Sequence, residues 1–499
     1  MRVRSMMSVA MLALLLLPPA RAAARPISAV RAKGPPAPVQ LHYRIHGEQG
    51  QLVPAKLTVL PVGRARRPRL GPRTGLTRGL DVAAHHRVFS LAGQGSVAVP
   101  RGVYDVVVSR GLEWDTVRTR VDLREGDARI EATLRRVVDT SGWIATDLHV
   151  HAERSTDSVI PMEARVAQMI SEGVELIVST DHNTISDYAP TISELGVHHL
   201  ITSARGCEIT TQNWGHLGAF PLPAHLAWKK RGAVLTGART GSGFIDAVRR
   251  VSPSSIIILN HPHSRTSSYL RDGGWDPRTD RARPGFSWDF DAIEIVNGYH
   301  RFNLRSAIDR NLRTWFKLLD HGHLIAAIGA SDTHQLRAIS GQGGYARTYV
   351  LVGDDRPAAV RPDDVVRAIK AKRALITTGP FVRATIAGRG LGELAPAPGG
   401  KAYVEIEVLA APWVPTTSIT VYVGGKVASR IPIPDRRDTL RIKVREPITA
   451  AADTYVVVRV DGRGTMQPVV GEHDHEMPSL AITNPIFLDT DGNGRYDPR

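Results

Sequence analysis

At 499 residues the chain is too long for one compact domain, and 42% hydrophobic against 22% charged residues is the balance of an ordinary globular protein. A formal charge of +16 suits an anionic partner, but the arginines are mostly scattered, which argues against a dedicated nucleic-acid stripe. The only cysteine, Cys207, excludes an intramolecular disulfide, so stability has to come from apolar cores and any bound metal.

The chain opens with a basic segment (Arg2, Arg4), an apolar run from Met6 to Leu17, and small residues around Ala22 and Ala24. This pattern predicts a signal peptide over residues 1–24 and export to a periplasmic or secreted location. The apolar run is too short to span a bilayer, and no later run does better. Residues 25–140 read as an N-terminal β-sandwich of short strands, among them VQLHYRI, AKLTVLPV and YDVVVSR. The densest basic stretch, Gly63 to Gly79, is rich enough in Pro and Gly to predict a solvated loop. From 141 to 380 short apolar strands alternate with helical patterns, which implies βα units around parallel strands. One of these helices is expected to start at Pro362. Residues 381–499 return to strands and read as a C-terminal β-rich domain.

The middle region places polar residues at the ends of its apolar strands. WIATDLHVH ends in His149 and His151, which share a face because strand side chains repeat every second residue. ELIVSTDH ends in Asp181 and His182, and SIIILNHPH ends in Asn260, His261 and His263. AIEIVNG carries Glu294 and Asn297. Nine residues form the candidate ligand set: His149, His151, Asp157, His182, Glu208, His216, His261, Asp332 and His334. Nitrogen and carboxylate donors without thiolate suit Zn²⁺, Mn²⁺ or Fe²⁺. One zinc takes about four ligands, so the set implies two to three divalent ions, with Glu208 as the natural bridge. Cys207, its strand neighbour, should face the opposite way into the core.

The order His-x-His, Asp, Asp-His, Glu, Gly-His, Asn-His-Pro, Asp-x-His resembles the PHP (polymerase and histidinol phosphatase) metallohydrolases over Trp143 to Ala346. The flanks VSRGLEWDT, LITTGPFVRATIAGRGLGE and AITNPIFLDTDGNGRYD resemble an exported subgroup related to carbaryl (carbamate ester) hydrolase. The resemblance implies an α/β fold, a distorted (βα)7 TIM-like barrel flanked by β-sandwich modules. It implies that His149, His151, Glu208 and Asp332 hold one ion. Glu208, His216 and His261 would hold a second, and Asp157, His182 and His334 a third. Glu208, Asp332 and His334 are the candidate catalytic residues. The expected activity is metal-dependent hydrolysis of a phosphoester, with a carbamate or carboxylic ester as the alternative. A secreted binding protein without catalysis is the non-enzymatic alternative. The expected partner is a small ester, which an anionic charge would suit; Arg265, Arg301 and Arg305 read as surface arginines, with steering of an anion as the alternative. The tail, Asp489 to Gly494, holds half of a calcium-loop motif but lacks its closing glutamate, so a polar turn is expected there.

Overall fold

The computed structural model describes residues 37–63, 67–78, 81–226, 239–299, 304–337, 341–471 and 477–497. The expected signal peptide and Arg301 lie outside them. Among the described residues no helix is long and apolar enough to cross a membrane.

The first strand, Val39–His46, buries every second residue, and so do its partners. Leu41, Tyr43 and Ile45 project from a three-stranded sheet, Gln94–Val99, Val39–His46 and Ala128–Thr133. They meet Leu57, Val59, Val106 and Val108 of a six-stranded sheet that includes Ala55–Pro61 and Val103–Ser109. Part of the basic stretch expected as a loop is a strand of that sheet, Gly71–Arg78, paired antiparallel with Asp81–His85.

The middle region corrects the expected fold: a (βα)7 barrel is not formed, and the protein is mostly β. Its strands fall into two sheets. One, of eleven strands, begins Thr202–Arg205, Leu176–Ser179, Trp143–Val150, Arg347–Leu351, Ala374–Thr377. The other, of five, runs Cys207–Thr210, His216–Phe220, Ile256–Leu259, Ala292–Asn297, Ala326–Ala330. Several neighbours are antiparallel: Cys207–Thr210 with His216–Phe220, that strand with Ile256–Leu259, and Trp143–Val150 with Arg347–Leu351. For the first pair the cause is chain length: residues 211–215 suffice for a hairpin, whereas a parallel crossover takes a dozen residues or more. Six α-helices are present among the described residues, and two of them, Ala189–Glu194 and Tyr269–Asp272, are only one or two turns long. Ile144 and Leu148 of the long sheet share a buried cluster with Phe220, Ile258, Ala292 and Ile328 of the short one.

Leu304–Asp320 is a helix because Leu304, Ala307, Ile308, Leu312, Trp315 and Leu319 form one apolar stripe at three- and four-residue spacing. The helix expected after Arg361 runs Pro362–Lys370, with Pro362 in its first turn and the Asp364 carboxylate accepting from Arg361 N at 3.1 Å.

The long sheet continues past residue 380. Ala374–Thr377 pairs with Leu480–Thr483, which pairs with Thr454–Asp461. A separate sheet of Phe381–Ile386, Lys401–Leu409 and Leu440–Thr449 packs into the same large core. At the tail, Asp489 accepts from the amides of Gly492 and Gly494 at 2.7 and 2.9 Å, closing a polar turn.

Candidate metal centre

Two lacings bring the candidate ligands together. The end of Trp143–Val150 is tied to the segment after Ala326–Ala330: Asp332 N donates to His149 O at 2.9 Å, and His151 N donates to Thr333 O at 3.1 Å. His182 bridges Glu208, where Asn183 N donates to Glu208 O at 2.9 Å. Asp332 and His261 both take positive φ, 51° and 30°, where the chain leaves a strand and turns its side chain into the site.

Glu208 sits at the centre and is 1% exposed. Its Oε1 lies 3.3 Å from His149 Nε2, 3.1 Å from His216 Nδ1 and 3.1 Å from His261 Nε2. Its Oε2 lies 2.9 Å from His182 Nδ1 and 3.6 Å from His151 Nε2. Asp332 Oδ1 faces the same two strand histidines, 3.3 Å from His149 Nε2 and 3.2 Å from His151 Nε2. Asp157 Oδ2 lies 3.1 Å from His182 Nε2 and 2.9 Å from His334 Nε2. All nine candidates therefore gather in one place.

The rings are held from behind. His149 Nδ1 lies 2.6 Å from Glu294 Oε1, and His151 Nδ1 lies 3.1 Å from Ser155 Oγ. That leaves Nε2 of both rings facing the carboxylates, and both atoms are buried without a hydrogen-bond partner. Buried polar nitrogens of this kind are costly unless something satisfies them. The donor set of imidazole and carboxylate, with no thiolate, fits a divalent cation. Ligand atoms lie within 4.8 Å of one another in three overlapping groups: His149, His151 and Glu208; His182, Glu208 and His216; His151, Asp157, His182 and His334. These buried clusters can hold metal ions.

The electrostatics are those of carboxylates paired with imidazoles: against burial, the carboxylates hold His149, His182, His261 and His334 above the usual imidazole value, in the protonated form that a cation has to displace. Burial pushes the Glu208 carboxyl up, but His149, His182 and His216 outweigh it and hold it well below the usual carboxylate range. Asp332 and Asp157 are likewise held low against burial, by His149 and His151 and by His182 and His334 respectively. Carboxylates kept ionised are in the form that binds cations. Burial and the neighbouring His334 push His151 down to about 3, the neutral form a ligand needs.

Glu294, Asn297 and Asn260, which the sequence alone assigns no role, support the site. Glu294 also accepts from His261 N at 2.6 Å, so one buried carboxylate orients two of the histidines. Asn297 Nδ2 donates to Glu294 and Asp332, both at 3.0 Å, and Asn260 Nδ2 donates to Glu208 at 2.9 Å. Each is a polar residue within, at the end of, or just after an otherwise apolar strand. Asp181 instead receives Ala152 N at 2.8 Å and Ser179 Oγ at 3.3 Å, which makes it a strand-end support. Cys207 is fully buried in the apolar core beside Glu208.

Over the cluster opens a cleft of about 810 Å³, lined by Asp157, His182, Glu208, His216, His261, Asp332 and His334 among others. His263 also lines it, its Nε2 2.7 Å from Thr314 Oγ1 on the helix Leu304–Asp320. Arg265 lines the cleft, whereas Arg305 donates to Gly462 O at 2.7 Å and turns toward the C-terminal strands.

No protein-family model matches the chain, and no curated protein does. Among solved structures, an engineered protein is similar at 12% identity over 66% of this chain and 80% of its own, with a TM-score of 0.15. The apo β-glucuronidase 3 of Bacteroides uniformis is similar at 13% identity and a TM-score of 0.17, over 88% of this chain and 60% of its own. A Parabacteroides merdae β-glucuronidase covers the same shares at 9% identity and a TM-score of 0.17. Likenesses this slight define neither fold nor activity.

Proposed function

We propose that the chain is an exported, metal-dependent hydrolase of esters, with phosphoesters as its substrates. The observation that carries this reading is Glu208, buried and within 3.6 Å of five histidine rings, two of which present unpartnered Nε2 atoms. The resemblance to the PHP metallohydrolases supports the same residues, though not the barrel. On this reading two to three Zn, Mn or Fe ions are held: one by His149, His151, Glu208 and Asp332, one by Glu208, His216 and His261, and one by Asp157, His182 and His334. Bound in pairs, such ions lower the pKa of water and stabilise charge on the attacked ester.

The chain's own residues do the rest. Glu294 and Ser155 fix the tautomers and aim of His149 and His151. Asp332 and His334 line the cleft, and on this reading they touch the bound substrate. The cleft has room for a small ester.

Elemental analysis of purified, metal-supplemented protein should find two to three transition-metal ions per chain. A panel of p-nitrophenyl phosphate, a phosphodiester and a carboxylate ester should show preference for the phosphate. Absence of bound metal sinks the reading; preference for the carboxylate ester moves it to the carbamate or carboxylic ester alternative.

A further inference from the structure

Beside the metal-type cleft lies a second recess of about 490 Å³, and the two share Thr266 in their walls. Four guanidinium groups line this joined trough without a carboxylate partner among the described residues: Arg265 and Arg310 in the cleft, Arg239 and Arg283 in the recess. The fifth, Arg271, is neutralised by Asp272 at 2.5 Å. Arg283 lies over the Trp214 ring at 4.0 Å and donates to Asn213 O at 2.8 Å, contacts that orient its fork and leave its charge in place. Arg310 shares one face of the helix Leu304–Asp320 with Ser306 and Thr314 at four-residue spacing. Thr314 holds His263, which ties that face to the loop carrying Arg265 and Thr266.

A single exposed guanidinium attracts an anion weakly. Several along one concave wall act together, and the planar fork matches phosphate and carboxylate oxygens. We propose that the trough binds an elongated anion: the ester to be cleaved lies over the histidine cluster, against Arg265 and Arg310, and a second anionic group of the same molecule lies in the recess of Arg239 and Arg283. This deepens the hydrolase reading and rests on it only for the bond that is cut.

The test uses alkyl phosphates of graded length in two forms, one ending in a carboxylate and one in a hydroxyl. Dissociation constants are measured by calorimetry on the full chain, alongside its metal content and its hydrolysis of p-nitrophenyl phosphate. At the matching length the carboxylate form is expected to bind roughly tenfold more tightly. Arg239→Gln or Arg283→Gln should remove that advantage and leave the hydroxyl form unchanged, while Arg310→Gln weakens both. Arg283 also covers Trp214, so Arg239→Gln is the variant that keeps the test clear of folding. Equal binding at every length, an advantage that survives both recess substitutions, or no binding by either form overturns the second subsite. Absence of metal or of p-nitrophenyl phosphate hydrolysis, with the carboxylate advantage intact, refutes the hydrolase reading instead.

Discussion

His149 and His151 share two carboxylate neighbours, Glu208 and Asp332, yet each is braced by a different partner. Neither ring can therefore stand in for the other. His149→Gln and His151→Gln are each expected to lose most bound metal and most hydrolysis while keeping near-normal circular dichroism. The double variant should add little, because residues that act as one unit are not additive. Near-normal activity in both single variants, at unchanged metal content, would make the pair an ordinary strand end. Glu294 allows a finer test. Glu294→Gln retains the shape but weakens the hold on His149 Nδ1, and outer partners of this kind are worth about 10–100-fold in metal affinity. A metal titration showing wild-type affinity in that variant would remove Glu294 from the site. The nine candidates were legible in the sequence because each is a metal-binding type at or just beyond an apolar strand. The tie of Glu294 to His149 was not, since 145 residues separate them and only folding makes them neighbours.

Among the elements, strand content was legible and strand direction was not. Runs such as SIIIL and LIAAIGA announce buried strands by their β-branched and small apolar residues, but an apolar run is the same whichever way its neighbour points. Pairing between distant strands decided, and the expected barrel gave way to two mixed sheets. A second feature at this scale is a buried polar knot between the strand Ala55–Pro61 and the end of the helix Met162–Ser171. Lys56 Nζ donates to Glu172 Oε1 at 2.5 Å and to Val469 O at 2.7 Å, while Gln342 Nε2 and Tyr345 OH donate to the same carboxylate at 3.0 and 3.2 Å. Burial outweighs Glu172 and pushes the Lys56 ammonium down to about 8. The unfolded chain then holds a proton that the folded chain has lost between about pH 8 and the ordinary lysine value of about 10.4, so this group makes stability rise with pH across that window. Lys56→Met should abolish that part of the rise, read as the difference between the two proteins in denaturant titrations at pH 8 and pH 10. It should also cost about 3 kcal/mol near neutral pH by stranding part of a buried carboxylate. A variant with wild-type stability and an unchanged pH slope would make the knot incidental.

Across the whole molecule, the region after residue 380 is built into the rest. Asn484 donates to Ala327 O and Ala374 O at 2.8 and 2.9 Å and accepts from Ala327 N at 2.8 Å, and Tyr455 OH donates to Phe316 O at 3.2 Å. A chain ending at residue 380 loses these partners and leaves Ala374–Thr377 as an open, apolar sheet edge, the kind that aggregates. It is expected to be insoluble or to melt without a cooperative transition, and a soluble truncation with a sharp thermal transition would show that the two parts fold separately. By itself the sequence determined the chemistry on offer, nine nitrogen and carboxylate donors without thiolate, and the strand-rich flanks, because residue type and period-two burial are local properties. Only the tertiary structure decided the direction of the central strands, the single sheet that crosses residue 380, and the convergence of five histidines on Glu208. Each of those depends on hydrogen bonds and packing between residues far apart in the chain, which no local pattern encodes.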